Sequence, residues 1–345
     1  MTRWQERFDN EFIKKPGEHL LIIGITGSGK TQVLIYVITR IMYLADDETI
    51  VWFDMGKGTE SFCIPELTKK RTRIILPEDC EIRNLEINVD FEYFEKITDI
   101  WELIDRNSYN IVSINPFIID PVVYSQTIDL IFRDLIKRAH HYFFNETKMI
   151  KKLTLAFDEF HNIAPAQGHS LLPEQNRIGA TIQMNIEKLR SFGIRFVATT
   201  QGETKIRKGV RSAFNWRIYR RISDRLIDIK RLENYEGKIQ QLKVNEALFL
   251  FPEKHFEIIS FPKIFKYPSW KKNIEYRGVY EGEKEEIKGI RLKAVMEQRN
   301  NLIYQDYLAG VSVSEIAKKA NMPEKTVYKI IEKFKEKQNK VSLSY

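Results

Sequence analysis

An eight-residue stretch near the N-terminus has the spacing of a phosphate-binding loop. It runs from Gly24 to Thr31, matches the pattern at every fixed position, and lies between an apolar run and an amphipathic run. Glycines let backbone N–H groups turn toward phosphate oxygens, and a following helix adds the positive end of its dipole. We expect Lys30 to contact the β- and γ-phosphates of ATP, and the Thr31 hydroxyl to bind Mg²⁺. The predicted nucleotide-binding residues of this loop are Gly24, Thr26, Gly27, Ser28, Gly29, Lys30 and Thr31.

Two consecutive carboxylates follow a second apolar run. Residues 153–157 indicate a buried parallel strand, and Asp158 and Glu159 come where such a strand ends at the carboxyl edge of its sheet. Asp158 is predicted to hold Mg²⁺ together with Thr31, and Glu159 to orient and deprotonate the attacking water. A Glu beside the Asp favours ATP hydrolysis over a nucleotide switch. A helix-capping Asp-Glu pair is the alternative.

The elements that must position these residues alternate between strands and helices. Amphipathic helices are predicted over 31–43 and 123–142, and the last two strand candidates form a hairpin. We therefore predict an α/β fold: a P-loop NTPase with a RecA-like, mostly parallel sheet flanked by helices. The strand candidates are 19–25, 49–54, 73–76, 111–114, 154–158, 194–199, 216–222, 247–251 and 256–261.

The composition changes after the last strand candidate. We predict a motor domain over 1–262, a linker over 263–288 in which a small strand pair at 274–279 is an alternative, and a small all-α domain over 289–345. In this last domain, Ser312 and Glu315 form a capping box, and Pro323 begins the next helix. The pattern is similar to a helix-turn-helix, while a helical bundle for protein contacts is the alternative. The residues predicted to face DNA are Lys325, Thr326, Tyr328 and Lys329.

Charge and composition narrow the class of protein further. Lys and Arg number 55 against 47 Asp and Glu, a net charge of +8 that favours polyanionic partners. The two cysteines exclude a disulfide scaffold, and no apolar run is long enough to cross a membrane, so we expect a cytoplasmic protein. The basic loop, which carries Lys205, Arg207, Lys208 and Arg211, is predicted to follow the DNA backbone, with a solvated charge run as the alternative. Its DNA-binding candidates are Lys205, Lys208 and Arg211.

Several of these stretches resemble the HerA–FtsK superfamily of DNA-pumping ATPases, which includes conjugative coupling proteins and viral packaging motors. Residues 158–165 resemble its Walker B signature, and 189–201 its segment ending on a sensor glutamine. Residues 215–224 resemble the strand that follows, and 54–58 and 114–117 are similar to other family positions. The resemblance covers roughly 18–262. The chain departs from the family in Gly202-Glu203, where Arg-Pro is frequent, and in lacking an N-terminal barrel or membrane helices.

The resemblance implies further site residues. Gln201 would hydrogen-bond both the attacking water and the γ-phosphate, with an ordinary polar residue at a strand end as the alternative. In a ring, an arginine from the neighbouring subunit would neutralise charge on the transferred phosphoryl group. Arg190 and Arg221 are the candidates, and a solvated or phosphate-contacting role is the alternative for each.

Together these features predict an ATP-hydrolysing translocase of double-stranded DNA, working as a homo-oligomeric, hexameric ring in DNA transfer, packaging or processing. ATP and Mg²⁺ are the expected cofactors, and a nuclease, a relaxase or a capsid is an expected partner. The alternative is a regulator in which ATP switches a DNA-binding helix-turn-helix without translocation.

Overall fold

The computed structural model describes residues 2–54, 59–68, 70–145, 152–170, 172–222, 235–253, 255–261, 267–282, 300–320 and 322–342. The chain divides into two compact units, Met1–Gly282 and Glu283–Tyr345. The family-like positions 55–58 and 223–224 lie outside the described residues, as does Asn321 between the last two helices.

The first unit is built on a ten-stranded sheet. Its strands are β1 (Leu20–Ile23), β2 (Thr49–Asp54), β3 (Thr72–Pro77), β5 (Asp90–Phe94), β6 (Tyr109–Ser113), β7 (Leu153–Phe157), β8 (Ile194–Thr200), β9 (Trp216–Tyr219), β10 (Glu246–Leu250) and β11 (Phe256–Ser260). The order across the sheet is β11-β10-β9-β1-β8-β7-β2-β6-β3-β5, and two short strands, β4 (Glu81–Arg83) and β12 (Glu275–Arg277), pair separately. All pairs from β9 to β5 are parallel, whereas β10 is antiparallel to both β9 and β11. This arrangement confirms the predicted α/β class and the hairpin at one edge.

Helices cover both faces of the sheet. The helices of the first unit are α1 (Arg3–Phe8), α2 (Lys30–Leu44), α3 (Ile64–Thr68), α4 (Ile100–Leu103), α5 (Pro121–Asn145), α6 (Pro173–Ser191), α7 (Lys208–Arg211) and α8 (Glu236–Gln240). A π-helical turn spans Asp9–Ile13, and 3₁₀ turns span Ser61–Cys63, Ile97–Asp99, Asn115–Phe117, Phe160–Asn162, Glu203–Lys205 and Ser269–Asn273.

Two apolar clusters make the core, one on each face of the sheet. In β1, Leu20 and Ile22 belong to the cluster that includes α2, whereas Leu21 and Ile23 belong to the cluster that includes α5 and α6. This division follows from the two-residue period of a strand. Every residue of β1, β2, β6, β7 and β8 is buried, as expected for a parallel sheet covered on both faces.

Parts of this unit differ from the sequence prediction. The short strands β4 and β5 were not predicted, because charged residues interrupt them and β5 lies at the sheet edge. The strand predicted over 216–222 ends at Tyr219, so Ile222 joins the same cluster as Tyr219 and not that of Trp216.

The linker prediction is wrong for residues 267–282, which belong to the first unit. Here β12 pairs with β4, the indole N–H of Trp270 donates to Glu66 at 2.9 Å, and the backbone N–H of Tyr280 donates to the Phe117 carbonyl at 2.8 Å. The charged run at 281–286 in the sequence led to the linker prediction, although the aromatic segment before it packs against the domain. The remainder of 263–288 lies outside the described residues.

The second unit contains a helix described over 300–308 (α9), α10 (Val313–Ala320) and α11 (Glu324–Ser342). Its own small core collects residues from all three helices, namely Ile303, Tyr304, Ile316, Ala317, Val327 and Ile331. The Ser312 hydroxyl accepts a hydrogen bond from the Glu315 backbone N–H at 3.3 Å, which caps α10 as predicted.

Replacing this cap should loosen α10. In Ser312→Ala the first-turn N–H groups lose their acceptor, which costs about 1 kcal/mol. Amide hydrogen exchange in α10 of the full chain should therefore accelerate by roughly 5-fold. Ser314→Ala, an exposed change inside the same helix, is the matched control. Equal exchange in both variants would contradict a stabilising cap.

Candidate phosphate-binding site

The loop between β1 and α2 is held on both sides by the neighbouring strands. The Gly24 N–H donates to the Thr200 carbonyl at 3.1 Å, and the Ile25 N–H donates to the Arg221 carbonyl at 2.9 Å. Gly27 and Gly29 have φ of +76° and +87°, in the left-handed region that favours glycine. The loop therefore has the backbone freedom, and the fixed position, that a phosphate cradle needs.

The buried side chain of Arg220 holds this loop in place through hydrogen bonds to backbone carbonyls. The sequence analysis missed this role. Arg220 is 3% exposed. It donates to the Ser28 carbonyl at 2.9 Å, to the Glu246 carbonyl at 2.7 Å, and to the Val244 carbonyl. Burial lowers the pKa of Arg220. Nothing in the sequence distinguishes this arginine from its neighbour Arg221, which is exposed.

A carboxylate and two hydroxyls meet beside the loop. The Thr31 hydroxyl donates to Asp158 Oδ2 at 3.2 Å, and the Thr199 hydroxyl donates to Asp158 Oδ1 at 2.5 Å. Burial raises the pKa of Asp158, while the bond from Thr199 opposes that rise. The structure thus brings together Thr31 and Asp158, the two residues predicted to bind Mg²⁺, and adds Thr199, which was not predicted.

The oxygen atoms at this point suit a hard cation. Mg²⁺ prefers oxygen ligands and takes them from one or two protein side chains plus substrate phosphates. The Ser28 hydroxyl is buried and has no hydrogen-bond partner among the described residues. Thr26 and Gly27 are exposed at the tip of the loop. In the described part of the chain, no group of three or more His, Cys, Asp or Glu side chains is placed to hold a metal ion.

Glu159 has an unusual backbone and charged neighbours. Its φ and ψ of 56° and 49° are left-handed, and its N–H donates to the Thr199 hydroxyl at 2.9 Å. Its Oε1 lies 3.7 Å from Lys30 Nζ, and its Oε2 lies 3.3 Å from His161 Nδ1. Lys30, which is 5% exposed, also donates to the Ile25 carbonyl at 3.3 Å. The predicted general base therefore lies beside the predicted phosphate-binding lysine.

Gln201 follows β8, the strand that pairs with β1. Its side-chain oxygen accepts a hydrogen bond from Lys205 Nζ at 2.7 Å. The predicted sensor thus lies at the same sheet edge as the loop, and it is joined to the first lysine of the basic loop.

The two arginine candidates lie apart. Arg190 is in the last turn of α6, which leads into the amino end of β8, and it pairs with Glu18 and, at 3.7 Å, with Glu187. The phosphate-binding loop follows the carboxyl end of β1, at the opposite edge of the parallel sheet. Arg190 therefore does not reach the site of its own chain. Arg221 is exposed and lies next to the phosphate-binding loop.

The basic loop is only partly turned toward solvent. Lys208 is exposed and Lys205 is half-buried. Arg211 is 7% exposed and donates to the Glu203 carbonyl at 3.0 Å, so the prediction that it contacts DNA does not hold in this conformation. The composition of the loop does not indicate that the Arg211 side chain turns inward and donates hydrogen bonds to backbone carbonyls.

A buried carboxylate anchors the chain just after Gln201. Glu203 Oε1 accepts hydrogen bonds from Arg217 Nη1 at 2.8 Å and from the Tyr219 hydroxyl at 2.6 Å. Arg217 and Tyr219 therefore share a face of β9, as residues two apart on a strand do. Glu203 is one of the residues by which the chain departs from the family pattern, and here it fixes the start of the basic loop.

The loop after Glu159 is paired with the basic loop. Pro165 and Ile206 form an isolated antiparallel bridge. The Ala166 N–H donates to the Lys205 carbonyl at 2.8 Å, and the Arg207 N–H donates to the Ala164 carbonyl at 3.1 Å. The segment after Glu159 and the basic loop are therefore joined by backbone hydrogen bonds.

In the second unit, the four residues predicted to face DNA are exposed on the first turns of α11. They are Lys325, Thr326, Tyr328 and Lys329. Val327, between them in sequence, is fully buried in the small core. In the described part of the chain, no helix is both long and apolar enough to span a membrane.

Among solved structures, the chain is similar to the genome packaging NTPase B204 of Sulfolobus turreted icosahedral virus 2 in complex with ATP-γ-S. The identity is 14% and the TM-score 0.44, over 71% of this chain and 97% of that one. It is also similar to Thermomonospora curvata EccC (ATPases 2 and 3), at 12% identity and a TM-score of 0.44, over 72% of this chain and 38% of that one. For EssC (ATPases 2 and 3) from Geobacillus thermodenitrificans, the identity is 11% and the TM-score 0.38, over 76% and 42% of the two chains.

No protein-family model matches the chain, and no curated protein matches it. At these identities and TM-scores the structural likeness is distant, and the chemistry of this chain rests on its own residues.

Because the backbone at Glu159 is left-handed, we expect a glycine variant at this position to be more stable than an alanine variant, the reverse of the usual order in a helix. Glu159→Gly and Glu159→Ala both remove the carboxylate and differ by one Cβ, which costs roughly 1–2 kcal/mol in this conformation. The glycine variant should therefore have the higher free energy of unfolding in a urea titration. At Met184, which is exposed within α6, the glycine variant should be less stable than the alanine variant by about 1 kcal/mol. The same order at both positions would contradict the strain.

Proposed function

We propose that this chain hydrolyses ATP. The observation that carries the proposal is the position of the Glu159 carboxylate beside Lys30 and next to the Thr31–Asp158 pair, at the carboxyl end of β7. The loop 24–31 would bind the phosphates through backbone N–H groups, and Lys30 would contact the β- and γ-phosphates.

Thr31 and Asp158 would hold Mg²⁺. When bound there, the ion would neutralise charge on the β- and γ-phosphate oxygens. Glu159 would take a proton from a water molecule as the water oxygen bonds to the γ-phosphorus and the bond to the leaving ADP oxygen breaks. The products are ADP and phosphate, with the proton on Glu159. Gln201 would contact the same water and the γ-phosphate.

We further propose that hydrolysis moves double-stranded DNA. The support is the antiparallel bridge between Pro165 and Ile206, which joins the loop after Glu159 to the loop that carries Lys205 and Lys208. The two lysines of that loop, of which Lys208 is exposed, would contact phosphates without reading the base sequence. Lys325 and Lys329 of the second unit would contribute further contacts.

The proposed working form is a ring of identical subunits, with six as the expected number. A guanidinium that stabilises the transition state has to come from a residue free to reach the phosphates. Arg190 lies at the opposite sheet edge from its own site, so it would serve only a neighbouring subunit. Arg221 is the second candidate. A nuclease, a relaxase or a capsid would be the partner of such a ring.

A regulator is the second candidate function. The exposed row on α11, with Val327 turned inward, suits a helix that reads a groove of DNA at one site. In that case ATP would switch the affinity for one sequence, and hydrolysis would be slow and indifferent to other DNA.

The first test measures ATP hydrolysis with and without long double-stranded DNA of unrelated sequences. We expect stimulation by every sequence, and a loss of at least about 100-fold in kcat for Glu159→Gln, because the amide cannot accept the proton. Binding of a fluorescent ATP analogue should persist in the variant. Slow hydrolysis that ignores long DNA, together with tight binding to one short site, would contradict the motor and support the regulator.

A second test separates the basic loop from the general charge. Lys208→Gln should weaken DNA stimulation equally for all sequences and reduce the slope of log affinity against log salt by about 1. Lys188→Gln, which removes an exposed lysine of α6, is the matched control and should leave that slope unchanged. Equal slopes for both variants would argue against phosphate contact by the basic loop.

A further inference from the structure

The carboxylate of Glu159 lies between two nitrogen-bearing side chains, and only one of them has a role so far. Lys30 Nζ is 3.7 Å from Oε1, and His161 Nδ1 is 3.3 Å from Oε2. Glu159 Oε2 and His161 Nδ1 are both buried atoms, and neither has a hydrogen-bond partner among the described residues. Two buried polar atoms that face each other at this distance need only a small rotation to form a hydrogen bond.

The local fold keeps this pair together. Glu159 begins a 3₁₀ turn over Phe160–Asn162, and the Asn162 N–H donates to the Glu159 carbonyl at 2.9 Å. Phe160 is fully buried in the core between them. The turn and its buried aromatic residue therefore fix where the imidazole lies relative to the carboxylate.

Lys30 cannot remain the partner of Glu159 throughout the reaction, if it contacts phosphates as proposed above. Its ammonium would then be drawn to the β- and γ-phosphates, whose charge exceeds that of one carboxylate. Glu159 would lose the cation that now holds its Oε1. His161 is the side chain left to fix the orientation of the carboxylate.

We propose that His161 is a positioning residue for the general base. Its Nδ1–H donates to Glu159 Oε2, which leaves Oε1 to accept the proton of the attacking water. This inference rests on the proposed ATP hydrolysis.

The charge state of His161 suits this role. Burial lowers its pKa below the ordinary value for histidine; the cations of Lys205 and Lys30 act in the same direction, and the Glu159 carboxylate opposes them. The imidazole is then neutral near pH 7, with one N–H to donate. A neutral donor orients Glu159 without the positive charge that would make the carboxylate a weaker base.

The test compares three substitutions of His161 in the full chain. His161→Ala removes the donor and should lower kcat for ATP hydrolysis by roughly 10- to 100-fold, the range for a hydrogen bond to a charged group. His161→Asn places an amide nitrogen near the position of Nδ1 and should restore most of kcat. His161→Gln places its amide nearer to Nε2 and should not. KM for ATP, and binding of a fluorescent ATP analogue, should be unchanged in all three variants.

The two proposals fail in different ways. If Glu159→Gln hydrolyses ATP as the unmodified chain does, the proposed function fails. If Glu159→Gln is inactive and all three His161 variants keep full kcat, only the role of His161 fails. Equal losses in the Asn and Gln variants, or a rise in KM without a change in kcat, would also overturn it. In the Glu159→Gln background, His161→Ala should cause no further loss.

Discussion

The two hydrogen bonds to the Asp158 carboxylate set the arrangement of the whole site. A carboxylate at the end of a covered strand must be satisfied, because leaving it unpaired away from water is costly. The hydroxyls of Thr31 and Thr199 supply those bonds, and in doing so they tie together the start of α2, the end of β7 and the end of β8. Thr199 also accepts a hydrogen bond from the backbone N–H of Glu159, so the proposed general base is positioned by the same hydroxyl. The positions of the loop, of the proposed metal ligands and of the proposed base therefore depend on one another.

Local patterns in the sequence predicted the fold, and they predicted which residues lie together at the candidate site. The loop 24–31 and the Asp158-Glu159 pair are short motifs whose spacing indicates their chemistry, and buried strands such as β7 are visible as continuous apolar runs. What could not be predicted depends on distant contacts. Arg220 and Arg221 are adjacent in sequence, yet only Arg220 turns inward, to carbonyls at Ser28, Val244 and Glu246. The sequence of 267–282 indicated a linker because it contains many charged residues and no clear periodicity. Its packing depends on partners that are distant in sequence, such as Glu66 for Trp270 and β4 for β12.

Inward-turned arginines around Glu203 explain why the basic loop exposes fewer cations than its composition suggests. Arg211 and Arg217 both lie near Glu203, one through its backbone carbonyl and the other through its carboxylate. Breaking such a contact by removing one partner is strongly destabilising, because a buried charge is left unpaired. Arg211 and Arg217 therefore belong to the framework of the domain. Of the four cations of the basic loop, Lys208 is the exposed one, Lys205 and Arg207 are half-buried, and Arg211 is buried.

The hydrogen bonds that hold the phosphate loop in place limit which part of the site is able to move. Its backbone donates hydrogen bonds to Thr200 at the end of β8 and to Arg221 just after β9. Arg220 in turn donates to the Ser28 carbonyl, so the loop is held in a fixed position. The segment after Glu159 is instead bridged to the basic loop at Pro165 and Ile206. Under the proposed function, any movement that follows loss of the γ-phosphate would therefore pass through this second segment. The nucleotide would then stay fixed in the phosphate loop, and the loop that carries Lys205 and Lys208 would be the part that moves.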